Sequence, residues 1–369
     1  MTAAPAAPAT FGRFFLPGPT EVHPEILAAQ ARPMIGHRGK GMEQLIARMM
    51  PGLQRIFRTQ RPVYISSSSA TGLMEASIRN CGGARVLSLV NGAFSERFYK
   101  IALANGVEAT ALEVPLGEVH RPEQLRAALA AGRYDAITVV HSETSTGALN
   151  PIADLARVAH EAGDVLLLVD SVTGVAGAPV ETDAWDLDFV LTGSQKALAL
   201  PPGLALGVAH PRALERAKKA THRGIYFDLV EFESFILKNQ TPNTPALSLM
   251  YALAAQVERI ERETIEARWA RHAAMAERTW AWAAAMRARG VEMRVLAPEG
   301  FRSPTVTCLT VPAGMTGSGI NEAMKGRGYT ISAGYGALKD QTIRIGHMGD
   351  HTMAELDALL AVLAEVVTA

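Results

Sequence analysis

Two short apolar runs, Val165–Val169 and Phe189–Leu191, constrain this chain more than any other stretch. Each has the length and apolar character of a strand buried on both faces. Each also leads to a functional group. The first ends in Asp170; the second is followed by the turn Thr192-Gly193-Ser194-Gln195 and then Lys196. An aspartate closing an all-apolar strand is poorly solvated and calls for a cationic or hydrogen-bonding partner. In open α/β sheets, ligands gather beyond the carboxyl ends of the strands, so both side chains are expected in one crevice. An N-capping aspartate and a surface lysine also fit the pattern taken alone.

The flanking sequence supports such a sheet. Apolar strand patterns at Val63–Ile65, Val86–Val90, Glu108–Val114 and Ala136–His141 alternate with helical patterns at Leu73–Asn80, Glu96–Asn105, Arg121–Ala131 and Ile152–Ala162. That alternation predicts an α/β fold with a mainly parallel sheet. Helices also start near Pro24 and cover Met42–Phe57. Leu204–His210 reads as a strand closing the sheet region, and Tyr226–Gln240 as an irregular aromatic segment. A long helix over Leu247–Ala285 is expected to break or bend near Arg262. The last hundred residues give strands Thr305–Val311 and Ile343–Ile345 with helices Gly319–Arg327 and Met353–Val366, a compact α+β unit. The chain thus divides into a flexible tail over 1–14, a large domain over 15–262 and a small C-terminal domain over 263–369.

Composition narrows the function classes. Among 369 residues, Lys+Arg 36 balance Asp+Glu 36, so nothing general attracts nucleic acid or an anionic membrane. Two cysteines, Cys81 and Cys308, sit in apolar contexts and point to a reducing compartment. The Ala/Pro-rich start has no apolar core of a signal peptide, and no apolar run reaches membrane-spanning length. A cytoplasmic protein with small-molecule substrates is expected.

Three loops and one strand carry further candidates. Pro17-Gly18-Pro19-Thr20 cannot be regular structure, because its prolines fix φ and its glycine permits close backbone approach. Ile35–Gly41 is glycine-rich and cationic; its His37 and Arg38 would suit an anion, or a solvated loop. Between a strand and a helix, Ser66–Gly72 lets N–H groups and hydroxyls converge on a phosphate at the helix N-terminus, without the Gly-Lys-Ser/Thr of a Walker loop. Arg344 sits mid-strand among apolar neighbours, where it needs either a structural salt bridge or an anionic ligand.

An acid facing a lysine is what pyridoxal phosphate requires. It forms a Schiff base with a lysine, and a carboxylate keeps its ring nitrogen protonated, which makes the ring an electron sink. VDSVTG followed by GSQKAL, with Asp170 and Lys196 26 positions apart, resembles the class V aminotransferases of the fold-type I pyridoxal-phosphate enzymes. Within that group the chain is most similar to the alanine–glyoxylate and serine–glyoxylate (serine–pyruvate) aminotransferases, from Phe15 nearly to the C-terminus.

The resemblance implies a large domain with a seven-stranded sheet, a small α+β domain, and a homodimer with its active sites at the interface. It makes Lys196 the cofactor lysine and Asp170 the partner of the ring nitrogen. Phe94 takes the position of a stacking aromatic, usually Trp, with Val172 on the other ring face. Ser69, Ala70, Thr71 and Gln195 form the phosphate cup, and Thr144, in a motif close to Glu-Ser-Ser-Thr-Gly, bonds the phenolic oxygen. Thr244 matches a residue that reaches the neighbouring subunit's phosphate, and Thr241 stands where the family has a Tyr. Gly18 offers backbone to the substrate carboxylate, which Arg344 grips. His141 is expected to be structural.

The implied reaction moves an amino group from alanine or serine to glyoxylate or pyruvate. In related phosphoserine aminotransferases, which use 2-oxoglutarate and glutamate, a His-Arg pair at the place of His37 and Arg38 contacts the substrate phosphate. That leaves a second reading open. A cysteine desulfurase-like lyase would have a His before the lysine, a His on the ring and a reactive Cys in a late loop. Here those places hold Gln195, Phe94 and only Cys308. A non-catalytic relative of the fold is the remaining alternative.

Overall fold

The computed structural model describes residues 11–369. Helices α1 (Pro24–Ala29) and α2 (Lys40–Phe57) lead into the expected alternation: β1 (Tyr64–Ser66), α3 (Ala70–Cys81), β2 (Arg85–Val90), α4 (Ala93–Ala104), β3 (Glu108–Glu113), α5 (Pro122–Ala131) and β4 (Ala136–Val140). A small hairpin, β5 (Ser142–Glu143) with β6 (Ala148–Leu149), precedes α6 (Ile152–Glu161), β7 (Leu166–Asp170), β8 (Phe189–Gly193) and β9 (Ala205–Ala209). Seven strands join in the order β1-β9-β8-β7-β4-β2-β3. All neighbours pair in parallel except β9, which is antiparallel to both β8 and β1. The 204–210 strand therefore does not close the sheet as expected: it lies inside, and β1 forms that edge.

Strands β4, β7, β8 and β9 are buried along their whole length, which is why they read as unbroken apolar runs rather than alternating ones. Register sets the site. Pairing of Asp170 with Leu191 brings the carboxyl ends of β7 and β8 side by side, with Asp170 on one and the turn to Lys196 on the other.

Helix α7 (Pro211–Lys219) follows β9, with Pro211 in its first turn and the ring of His210 accepting the N–H of Arg212. The segment expected to be irregular contains a helix, α8 (Leu229–Ile236). Asp228 caps it by accepting the N–H groups of Val230 and Glu231, while Leu229, Phe232 and Ile236 turn one face inward. The long helix is two: α9 (Leu247–Glu263) and α10 (Ile265–Ala288) break at Thr264, whose φ of 71° ends the first and whose hydroxyl caps the second.

The C-terminal unit holds β10 (Val306–Thr310), α11 (Gly317–Gly326), β11 (Ser332–Ala333), β12 (Thr342–Gly346) and α12 (Met353–Thr368). Its three strands run antiparallel in the order β10-β12-β11. Among the described residues, two large apolar clusters and a small third one around Val119, Ala148 and Ala297 form the core. One large cluster packs around the large sheet; the other joins α10, α12 and the small sheet, and includes Phe15. Of the tail expected over 1–14, residues 1–10 lie outside the described residues. Phe11 to Phe14 are held: the ring of Phe11 stacks on His351, and Phe14 bridges to Thr330. Among the described residues, no helix is long and apolar enough to cross a membrane.

Candidate active site

The crevice at the carboxyl ends of β7 and β8 brings Asp170 and Lys196 together, both almost completely buried. The N–H of Val172 donates to Asp170 Oδ1 at 2.8 Å. Burial pushes the Asp170 carboxyl up to about 7, opposed by that N–H and by the charges of Lys196 and Arg97. Lys196 is brought down to about 8 by burial first and then by Arg344. Its Nζ donates to the carbonyl of Pro17 at 2.6 Å. Thr20 fastens the same turn: its hydroxyl donates to the Lys196 carbonyl and its N–H to that of Gln195. Gly18 has a φ of 116°, and a Cβ there would strike Lys196 Nζ, so only glycine lets the Pro17–Thr20 segment cover the lysine.

Beside this pair, Ser69 is the N-cap of α3, and its side chain makes no capping bond. Ala70 and Thr71 form the first turn. Gln195 lies against Ala70 across Gly193, and its Oε1 is buried without a partner. Free N–H groups at a helix start, an open hydroxyl and a side-chain amide make an anion cup.

Phe94 opens α4 at the end of β2, and Val172 follows β7. Glu143, buried in the β5–β6 hairpin, accepts the N–H groups of Phe94 and Ser95 and the hydroxyls of Ser95 and Ser145. It thereby fixes the start of the Phe94 helix. Thr144 is buried, its hydroxyl 3.4 Å from that of Thr173. His141 is a buried structural residue bonded to Ser171, and burial lowers its pKa to about 4.

Arg344, in the middle of β12, reaches across from the small sheet. Its three hydrogen bonds go to the Ala333 carbonyl (3.1 Å), the Ser332 hydroxyl (2.8 Å) and the Thr144 carbonyl (3.3 Å). Among the described residues no carboxylate pairs with it, which removes the structural salt bridge as its reason to be there. Tyr335, which the sequence did not single out, lies under the guanidinium at 5.5 Å and against Phe94 at 5.5 Å. Nor did Arg97, one turn past Phe94. Their only signal was position: Arg97 follows Phe94 at helical spacing.

His37, Arg38, Thr241 and Thr244 gather in a cluster of their own, with Thr241 lining a small pocket beside Ser66 and Ser67 at the start of the cup loop. Arg38 donates to the carbonyls of Thr241 and Pro242 and stacks over Phe235. Thr244 Oγ1 is 3.4 Å from His37 Nε2, and the Thr241 hydroxyl donates to the Asn243 carbonyl. No hydrogen bond within the described residues joins these four to Lys196 or to the cup.

Comparison with known proteins gives the family. The family model described as aminotransferase class-V matches residues 83–359. The chain is a class-V aminotransferase. It is 38% identical over 354 residues to an uncharacterized aminotransferase of Methanocaldococcus jannaschii, covering 94% of this chain and 90% of that one. The L-aspartate–glyoxylate aminotransferase of Paracoccus denitrificans is 32% identical, covering 92% and 87%. The crystal structure of alanine–glyoxylate aminotransferase from Nostoc sp. superposes with a TM-score of 0.90 at 28% identity, covering 99% and 97%.

This aminotransferase has the fold-type I architecture, and its cofactor is pyridoxal phosphate. The residues present fit that group. A buried carboxyl with one oxygen engaged by Val172 suits a ring N–H, and the unpartnered Gln195 Oε1 with the open start of α3 suits the phosphate end.

Proposed function

We propose that this aminotransferase transfers the amino group of a small amino acid, alanine or serine, to glyoxylate or pyruvate, as a cytoplasmic homodimer. The observation carrying the reading is Arg344: a buried guanidinium whose bonds among the described residues go to two carbonyls and a hydroxyl, beside the lysine of the crevice. A charge buried in this way calls for an anion, and a planar fork matches a carboxylate.

Pyridoxal phosphate, when bound, supplies the ring that draws electrons from the bond broken at the substrate Cα. Arg344 holds the α-carboxylate and so sets which Cα bond faces Lys196. Burial lowers the pKa of Lys196, which favours its neutral form, and its Nζ would take the proton from the substrate Cα and deliver it to the cofactor rather than back to Cα. Asp170 holds the ring nitrogen's proton. Phe94 and Val172 confine the ring, Ser69, Ala70, Thr71 and Gln195 receive the phosphate, and Thr144 faces the phenolic oxygen. Gly18 and its neighbours exclude water above the lysine.

In the phosphoserine reading, Arg38 would be a phosphate ligand. In the single chain its fork is spent on Thr241 and Pro242, which favours the small neutral donors. The desulfurase reading would need a reactive thiol, but Cys308 is in β10 and burial pushes its thiol up to about 11. Interfacial use of Thr244 is supported by the exposed apolar side chains of Ile225 and Leu237, on the stretch of chain that leads into that segment.

The test is a half-reaction. Holoenzyme mixed with alanine or serine should lose the absorbance of its lysine-bound cofactor, and glyoxylate should restore it. Arg344→Gln should raise the half-saturating donor concentration on the order of 100-fold, the effect of a lost charged hydrogen-bond pair. A wild-type enzyme inert to every amino acid would refute the assignment.

A further inference from the structure

The crevice holds more positive charge than a monocarboxylate substrate needs. Arg97 projects from α4 one turn after Phe94, with its guanidinium carbon 4.9 Å over the Phe94 ring and a terminal nitrogen 3.5 Å from the Tyr335 hydroxyl. No carboxylate within the described residues pairs with it. Glu96, its neighbour, turns to Lys100, and the oxygens of Glu143 are taken by the N–H groups and hydroxyls at the start of α4.

Tyr335 is the link between two cations. Arg344 lies over its ring at 5.5 Å, and Arg97 meets its hydroxyl. Both act on the lysine: each lowers the pKa of Lys196, against a single nearby carboxyl, Asp170. Two guanidinium groups of like charge around one exposed aromatic repel, and an anion placed between them relieves that repulsion. The α-carboxylate of an amino acid satisfies Arg344 and leaves Arg97 without an anion.

We propose that Arg97 binds the side-chain carboxylate of a dicarboxylic amino donor, aspartate or glutamate, while Arg344 holds its α-carboxylate, with Tyr335 as the spacer between the two. This rests on the transaminase reading above and extends its donors beyond alanine and serine. Arg97 is a specificity residue in this scheme. It touches the substrate's far end and takes no part in moving the Cα proton.

The test compares the holoenzyme with its Arg97→Gln and Arg97→Lys forms in half-reactions with aspartate, glutamate and alanine. Wild type should convert at least one dicarboxylic donor as readily as alanine. Arg97→Gln should lower the kcat/KM ratio of that donor to alanine on the order of 30-fold, mainly through KM, and Arg97→Lys should restore part of it. Whether aspartate or glutamate responds identifies the chain length.

Maleate, an unreactive dicarboxylate, gives a second readout without turnover. Its dissociation constant should rise on the order of tenfold or more in Arg97→Gln, while that of acetate changes less. Equal losses for alanine and the dicarboxylic donors would overturn the proposal and leave Arg97 as an electrostatic neighbour of Lys196. Unchanged maleate binding would overturn it as well. A wild type inert to every amino acid would refute the transaminase reading, and the maleate titration would then decide for or against Arg97 by itself.

Discussion

A carboxyl buried at the end of β7 titrates far from its solution value, and this has a measurable consequence for the cofactor-free chain. Asp170 moves from 3.8 to about 7, chiefly through burial. Between those values the folded chain keeps a proton that the unfolded chain has lost, so the stability contributed by this group falls as pH rises from about 4 to 7. Asp170→Asn removes the titration. The cofactor-free variant should therefore gain on the wild type across that window, by on the order of 4 kcal/mol, read from urea midpoints at several pH values. Parallel curves for the two proteins would mean that burial does not set this pKa. Asp170 and Lys196 were legible in the sequence because each terminates an apolar run. The roles of Glu143, Tyr335 and Arg97 were not: Glu143 meets Ser95 48 positions away, and Tyr335 meets Arg97 238 positions away, separations that no local pattern marks.

Among the elements, α10 is tied to the lysine turn by an ion cluster. Arg268 is fully buried; it donates to the Ala197 carbonyl at 2.8 Å and pairs with Asp350 at 2.8 Å and Glu263 at 2.9 Å. Burial alone would raise the Asp350 carboxyl, yet Arg268 and Arg259 hold it below its usual value. Removing one partner of such a cluster leaves an uncompensated buried charge. Arg268→Leu should thus cost about 3–5 kcal/mol, visible as a lower denaturation midpoint, whereas a loss below about 1 kcal/mol would show that the cluster contributes little. The sequence showed a helical stretch that breaks or bends near Arg262, and the fold has the break two residues on, at Thr264. Helix α8 escaped because it is only 8 residues long, and its aromatic content hid the 229, 232, 236 spacing that buries its inner face.

For the whole molecule, the open question of assembly turns on the 241–245 segment. Within one chain Thr244 meets His37 rather than the cup at α3, so its proposed contact needs a neighbour's site. Sedimentation of the holoenzyme should give a dimer, and Thr244→Val should weaken retention of the cofactor on the order of tenfold, the loss expected for a hydrogen bond to a charged phosphate. A monomer with full activity would contradict this. The sequence by itself determined the alternation of strands and helices, the mainly parallel sheet and the presence of Asp170 and Lys196 at its carboxyl edge. Those features follow from local periodicity and from the rule that fully buried strands read as apolar runs. Only the tertiary structure decided where β9 sits and that Arg344 has no acidic partner among the described residues. It alone also placed Arg97 and Tyr335 beside Arg344, and turned Arg38 toward Thr241. Each of these depends on contacts between segments far apart in sequence, and local propensity carries no information about which distant side chains will meet.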